Sequence, residues 1–133
     1  MLTVADVMTK EVVSIGKDAP ITQAIEIMLE KQISGLPVVK SDMSLLGIIT
    51  EKDVLSLYAA PEEGSKATVE DFMTTPAVYF EMFETFGDIC RCLIQHDFRR
   101  VPVLSEGKVV GIVSRPDVAE HILSQVREVN SLS

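Results

Sequence analysis

The chain has 133 residues, 47% of them hydrophobic and 24% charged, a length and balance suited to one compact domain or two small, mutually dependent halves. Its 20 acidic against 12 basic side chains leave a formal net charge of −8, which argues against nucleic acid as a partner because phosphate must be neutralised by surplus Lys and Arg. With no Trp and only 5% aromatic residues, the core is expected to be aliphatic.

The first ten residues show no basic leader followed by an apolar stretch, and no apolar run approaches a membrane span. Asp6-Val7-Met8-Thr9 opens the patterned region, and residues 12–15 read as a short strand. Ile21, Ala24, Ile25, Met28, Leu29 and Ile33 then recur at helical spacing. Two strands at 36–39 and 45–50, joined by the polar run Ser41-Asp42-Met43-Ser44, form a predicted hairpin. A closing helix is expected over 51–59, and the Pro, Gly and charged residues of 60–66 mark a connector.

The same order then returns. Asp6-Val7-Met8-Thr9 reappears as Asp71-Phe72-Met73-Thr74, and Leu36-Pro37-Val38-Val39 as Val101-Pro102-Val103-Leu104, both 65 positions later. Gly47-Ile48-Ile49-Thr50 reappears as Gly111-Ile112-Val113-Ser114 after 64, one residue having been lost in the hairpin turn, where length is easily varied. Phe86, Ile89, Cys90, Leu93, Ile94 and Phe98 repeat the helical stripe. Strands are expected at 77–80, 101–104 and 109–114, with a closing helix over 115–128. Cys90 and Cys92 lie two apart on a helix, a spacing unsuited to a disulfide or a shared zinc ion, and Cys90 is expected to be a buried thiol. A cytoplasmic location fits these features.

The pattern is β-α-β-β-α, twice, an α+β chain. Half of it would expose an apolar sheet face that it cannot cover alone. Two halves packed sheet to sheet with pseudo-twofold symmetry would cover both faces, leaving clefts at the ends of the seam as natural ligand sites.

These units resemble the CBS domain, named for cystathionine beta-synthase. The resemblance rests on the Asp-Val-Met-Thr opening, the Gly-Leu-Pro-Val-Val strand and the Gly-Ile-Ile-Thr-Glu-Lys-Asp segment, and it runs from about Val4 to about Leu123. It implies repeats at 1–60 and 69–128, a connector at 61–68 and a tail at 129–133, a tandem arrangement known as a Bateman module. It further implies a regulatory module for adenosine-containing ligands: AMP, ADP, ATP or S-adenosylmethionine. No catalytic residue, metal or obligatory cofactor is expected.

Site residues follow from the resemblance. Thr50-Glu51-Lys52-Asp53 and Ser114-Arg115-Pro116-Asp117 carry its hydroxyl-to-Asp motif, in which an ionised carboxylate accepts bonds from the ribose hydroxyls. The hydroxyl and the helix start behind it suit ribose or phosphate. The same spacing is also a capping box, but such boxes prefer Glu or Gln, and Asp stands in both copies. Residues leading into the hairpin of one repeat are implied to join the Asp of the other. One composite site would combine Thr50 and Asp53 with Val78, Arg99 and Arg100. The other would combine Ser114 and Asp117 with Val13, Ser34 and Gly35. The valines would face adenine, and the arginines would favour phosphate at the Asp53 site.

Two other classes compete with this reading: a structural dimerisation module with degenerate pockets, and a nucleotide-hydrolysing enzyme. The two histidines, His96 and His121, sit in no nucleophile or metal-binding pattern. Apolar residues on the closing helices point to a homodimer, and the regulated protein would be acted on in trans. No membrane partner is expected.

Overall fold

The computed structural model describes residues 1–59 and 67–132, so the expected connector at 60–66 lies outside the described residues. In chain order the elements are α1 (Val4–Val7), α2 (Ile21–Lys31), β1 (Gly35–Val39), β2 (Leu45–Thr50), α3 (Glu51–Val54), α4 (Ser56–Ala59), α5 (Val69–Phe72), β3 (Phe80–Glu81), α6 (Phe86–Gln95), β4 (Arg100–Ser105), β5 (Lys108–Ser114) and α7 (Arg115–Leu132). They fold into two compact bodies. The first comprises Val13–Val78 and Glu106–Val109; the second comprises Met1–Val12, Tyr79–Ser105 and Val110–Ser133.

In the first body β1 and β2 form the expected antiparallel hairpin, with Gly35 opposite Thr50 and Val38 opposite Gly47. The strand expected at 12–15 is reduced to a single parallel bridge from Ile15 to Val38. Its N–H donates to the Pro37 carbonyl at 3.1 Å and its carbonyl accepts the Val39 N–H at 2.9 Å. The core is Ile15, Ile21, Ala24, Met28, Leu36, Val38, Ile49 and Val69. Burying each of the larger aliphatic side chains contributes about 1.5–3 kcal/mol.

The second body repeats this plan with β3, β4 and β5 side by side, β3 running parallel to β4 through Phe80 opposite Val103. The strand expected at 77–80 is therefore shifted later. Its core is Val4, Phe80, Ile89, Val101, Val103, Val113 and Val118. At the β4–β5 turn Glu106 and Gly107 both have positive φ, 51° and 80°, the backbone of a tight hairpin.

Val4 and Val69 occupy equivalent places in the two repeats, and both are fully buried. Yet Val4 packs in the core of the second repeat's helix and hairpin, and Val69 in that of the first. The backbone bonds show the same exchange. Val69 N–H donates to Ala19 O, Glu70 N–H to Lys17 O and Ile21 N–H to Ala67 O; 65 positions apart, Val4 N–H donates to Glu84 O, Ala5 N–H to Met82 O and Phe86 N–H to Leu2 O. Each opening segment thus completes the body built by the other repeat. The repeats of the sequence and the packed bodies are different partitions of the chain.

Three local expectations are corrected. Leu29 and Ile94, equivalent positions in the helical stripes, are 71% and 82% exposed, because they lie at the edge of a face centred on Ile21, Ala24 and Met28 in α2 and on Ile89 in α6. Cys90 is only partly buried, like Cys92. The closing helices differ between repeats. The first breaks at Leu55 into two single turns, with an i→i+3 bond from Leu55 N–H to Lys52 O. The second is one helix of 18 residues that runs on to Leu132, since neither Gly nor Pro interrupts the residues after Glu128. Pro116 falls in its first turn, where a missing N–H costs no helical bond.

Candidate functional site

Thr50 ends β2 in extended backbone and caps α3. Its hydroxyl accepts the Asp53 N–H at 3.2 Å, while Asp53 Oδ2 accepts the Thr50 N–H at 2.9 Å and the Thr50 hydroxyl at 3.0 Å. Ser114 and Asp117 repeat this at the end of β5: Oδ2 accepts the Ser114 N–H at 3.0 Å, and Ser114 Oγ accepts the Asp117 N–H at 3.3 Å. Both motifs are therefore reciprocal capping boxes.

Asp in place of Glu does not set these two boxes apart. Thr3 with Asp6, Thr68 with Asp71 and Thr85 with Asp88 build the same reciprocal geometry at α1, α5 and α6. Asp is the habitual partner in this chain, so the preference of capping boxes for Glu carries no weight here for a ligand role.

What distinguishes Asp53 and Asp117 is a second hydroxyl from a remote segment. Thr74 Oγ1 donates to Asp53 Oδ1 at 2.9 Å. Thr9, its equivalent in the first repeat, donates to Asp117 at 3.4 Å to Oδ1 and 3.3 Å to Oδ2. These threonines close the Asp-x-Met-Thr segments, whose repetition was visible in the sequence although their target was not. Each is clamped by a pair of backbone bonds. Thr74 exchanges N–H and carbonyl with Ile48 at 2.8 and 3.1 Å, and Thr9 does so with Ile112 at 2.8 and 2.9 Å.

Glycine makes this clamp possible. A Cβ on Gly47 would stand 2.7 Å from the Thr74 carbonyl and 2.9 Å from Thr75 Cγ2. One on Gly111 would collide with the Met8 side chain and stand 3.1 Å from the Thr9 carbonyl. The glycines of the two hairpins thus mark where an opening segment crosses the strand.

The remaining expected residues divide between the bodies. Val13, Ser34, Gly35 and Val78 lie in the first with Thr50 and Asp53; Arg99 and Arg100 lie in the second with Ser114 and Asp117. Gly35 is buried opposite Thr50, and the Ser34 carbonyl accepts the Glu51 N–H at 3.0 Å. In parallel, the Arg99 carbonyl accepts the Arg115 N–H at 3.1 Å. Val78 is 44% exposed. Among the described residues no carboxylate pairs with the Arg99 or Arg100 guanidinium, whereas Arg115 pairs with Asp97 at 3.1 Å.

Beside Asp117 opens a shallow cleft of about 250 Å³ lined by Asp6, Val7, Asp117, Glu120, His121 and Ser124. The Thr3 backbone N–H, helped by its hydroxyl, holds the Asp6 carboxyl below the usual carboxylate range, so this wall stays anionic. His121 packs at a tilt on Phe86, ring centroids 5.1 Å apart, and His96 stacks on Phe98.

Two copies of one helix-and-hairpin plan, each closed by a hydroxyl–Asp cap, define a tandem-repeat architecture. The CBS domain profile matches residues 4–60 and 69–124, and this chain belongs to the CBS domain family. Uncharacterized protein MJ1225 of Methanocaldococcus jannaschii is 32% identical over 114 residues, covering 86% of this chain but only 40% of that protein. Among solved structures, CBSX2 of Arabidopsis thaliana in complex with AMP matches with a TM-score of 0.85 and 28% identity, over 96% of this chain and 99% of that one. The CBS domain pair of MJ0100, in complex with 5′-methylthioadenosine and S-adenosyl-L-methionine, matches with a TM-score of 0.81 and 25% identity, over 94% and 98%. No helix among the described residues is long and apolar enough to cross a membrane.

Proposed function

We propose that this chain is a non-catalytic regulatory CBS pair that binds an adenine nucleotide, with Asp53 and Asp117 accepting the ribose hydroxyls. The observation that carries the reading is that each of these carboxylates, partly buried in the helical turn that follows a strand, is held by a hydroxyl from a remote segment in both repeats. The AMP complex of CBSX2 supports an adenosine ligand, and the MJ0100 complex keeps S-adenosylmethionine beside AMP, ADP and ATP as a candidate.

In this reading Thr50 and Asp53 act with Val78, Arg99 and Arg100, and Ser114 and Asp117 with Val13, Ser34 and Gly35. Charge favours phosphate at the Asp53 site. Arg99 and Arg100 carry guanidinium groups without a described ion-pair partner, whereas Asp117 sits beside the carboxylates of Asp6 and Glu120. Calorimetry with AMP should show a larger loss of affinity for Asp53→Ala than for Asp117→Ala. Equal losses would refute the asymmetry.

A structural reading is favoured by the three further Thr-x-x-Asp caps, which show that the motif serves capping alone elsewhere. The two readings separate in a thermal melt, because a ligand that binds only the folded chain must raise its Tm. No shift with AMP, ADP, ATP or S-adenosylmethionine would leave the structural role. A homodimer acting on a protein in trans completes the proposal. It is supported by the exposed Ile122, Leu123, Val126 and Val129 along α7, and light scattering at the protomer mass would overturn it.

A further inference from the structure

Asp53 uses its two oxygens differently. Oδ2 accepts both local bonds of the capping box, and Oδ1 accepts only the Thr74 hydroxyl. A carboxylate oxygen has two acceptor directions, so Oδ2 is saturated and Oδ1 keeps one free. Thr74, having donated its proton, presents its own lone pairs beside that free direction. The result is two acceptors 2.9 Å apart, Asp53 Oδ1 and Thr74 Oγ1, on a part-exposed Asp and an exposed Thr. That separation is close to that of the two oxygens of a vicinal cis-diol, each of which carries an O–H to donate.

We infer that Thr74 is a specificity-determining residue which, with Asp53, reads the cis-diol of a ribonucleotide, and that Thr9 is its weaker counterpart at Asp117. The inference rests on the nucleotide reading of the same carboxylates. No other capping Asp has this partner: Asp6 and Asp71 take hydroxyl bonds only from their own caps, and the outer oxygen of Asp88 is held by Arg91 at 2.7 Å. At Asp117 the Thr9 hydroxyl is shared between both oxygens at 3.3 and 3.4 Å, near the limit of a hydrogen bond. That acceptor pair is the more loosely held of the two. The threonines come from the opening segment of the opposite repeat, so diol recognition at each site depends on the exchanged packing of those segments.

The test is calorimetry with AMP, 2′-deoxy-AMP and 3′-deoxy-AMP on the full chain carrying Asp117→Ala, which isolates the Asp53 site. Removing either hydroxyl from the ligand should weaken binding about tenfold, as expected for a hydrogen bond to a charged group. Thr74→Val, which keeps the side-chain shape and the backbone clamp, should cost AMP about tenfold and the deoxy ligand that lacks the hydroxyl facing Thr74 less than about twofold. Thr74→Ser should restore AMP binding. A uniform loss across the three ligands, or none, would overturn the assignment while leaving nucleotide binding intact. Equal affinity of the unsubstituted Thr74 chain for all three ligands overturns it without recourse to any Thr74 variant. Absence of AMP binding to the native chain overturns the nucleotide reading, and the diol assignment with it.

Discussion

Asp88 shows what a capping carboxylate does for this chain when no ligand is at issue. Its carboxyl lies below the ordinary value of 3.8, first because the Thr85 N–H donates to it at 3.0 Å and next because Arg91 does. A carboxylate whose folded-state pKa is depressed stabilises the fold above its unfolded value, and that contribution is lost as the pH falls through the folded one. Asp88→Asn should therefore lower the Tm at pH 7, with the difference from the native chain fading once the pH drops below about 3.8. A difference that persisted unchanged in acid would refute a charge-based cap. In the sequence, the five Thr/Ser-x-x-Asp motifs are alike. Asp53 and Asp117 separate from the rest only through partners 21 and 108 residues away, which no local pattern encodes.

At the scale of the element, the hairpins and the two amphipathic helices follow from alternation and helical spacing, and both form where expected. The first strands were harder to place. A strand that makes a single parallel bridge, as Ile15 does with Val38, has almost no ladder of its own. The crossing of each opening segment over β2 or β5 gives a measurable consequence. Gly47→Ala forces a Cβ against the Thr74 carbonyl and should cost about 1–3 kcal/mol in urea unfolding. Gly111→Ala should cost less, because its nearest obstacle is the end of the flexible Met8 side chain. The reverse order would contradict the clamp. In the cores, Ile49→Ala and Ile89→Ala each remove a fully buried side chain and should cost about 2–5 kcal/mol by the same measurement.

Over the whole molecule, the exchange of opening segments decides what can fold alone. A fragment cut at the repeat boundary, residues 1–60, keeps α2 and the β1–β2 hairpin but loses Val69 and the backbone bonds that 67–70 make to Lys17, Ala19 and Ile21. A fragment of residues 13–78 keeps them all. The second should unfold in urea with the sharper transition and show the wider amide dispersion by NMR. Equal behaviour of the two fragments would mean that the exchanged segments add little to either body.

By itself the sequence determined the duplication, the order of elements in each copy and the family, because these reside in periodicity and in motifs repeated at a constant shift. It also carried the residues of the candidate site as types: a hydroxyl, an Asp three positions on, and a Thr closing each opening segment. Only the tertiary structure decided which Thr meets which Asp, and that each body borrows its opening segment from the other repeat. The physical reason is that equivalent segments of a duplicated chain present the same side chains and the same backbone groups. Local chemistry cannot tell a segment from its copy, and the choice between them is made by how the chain packs.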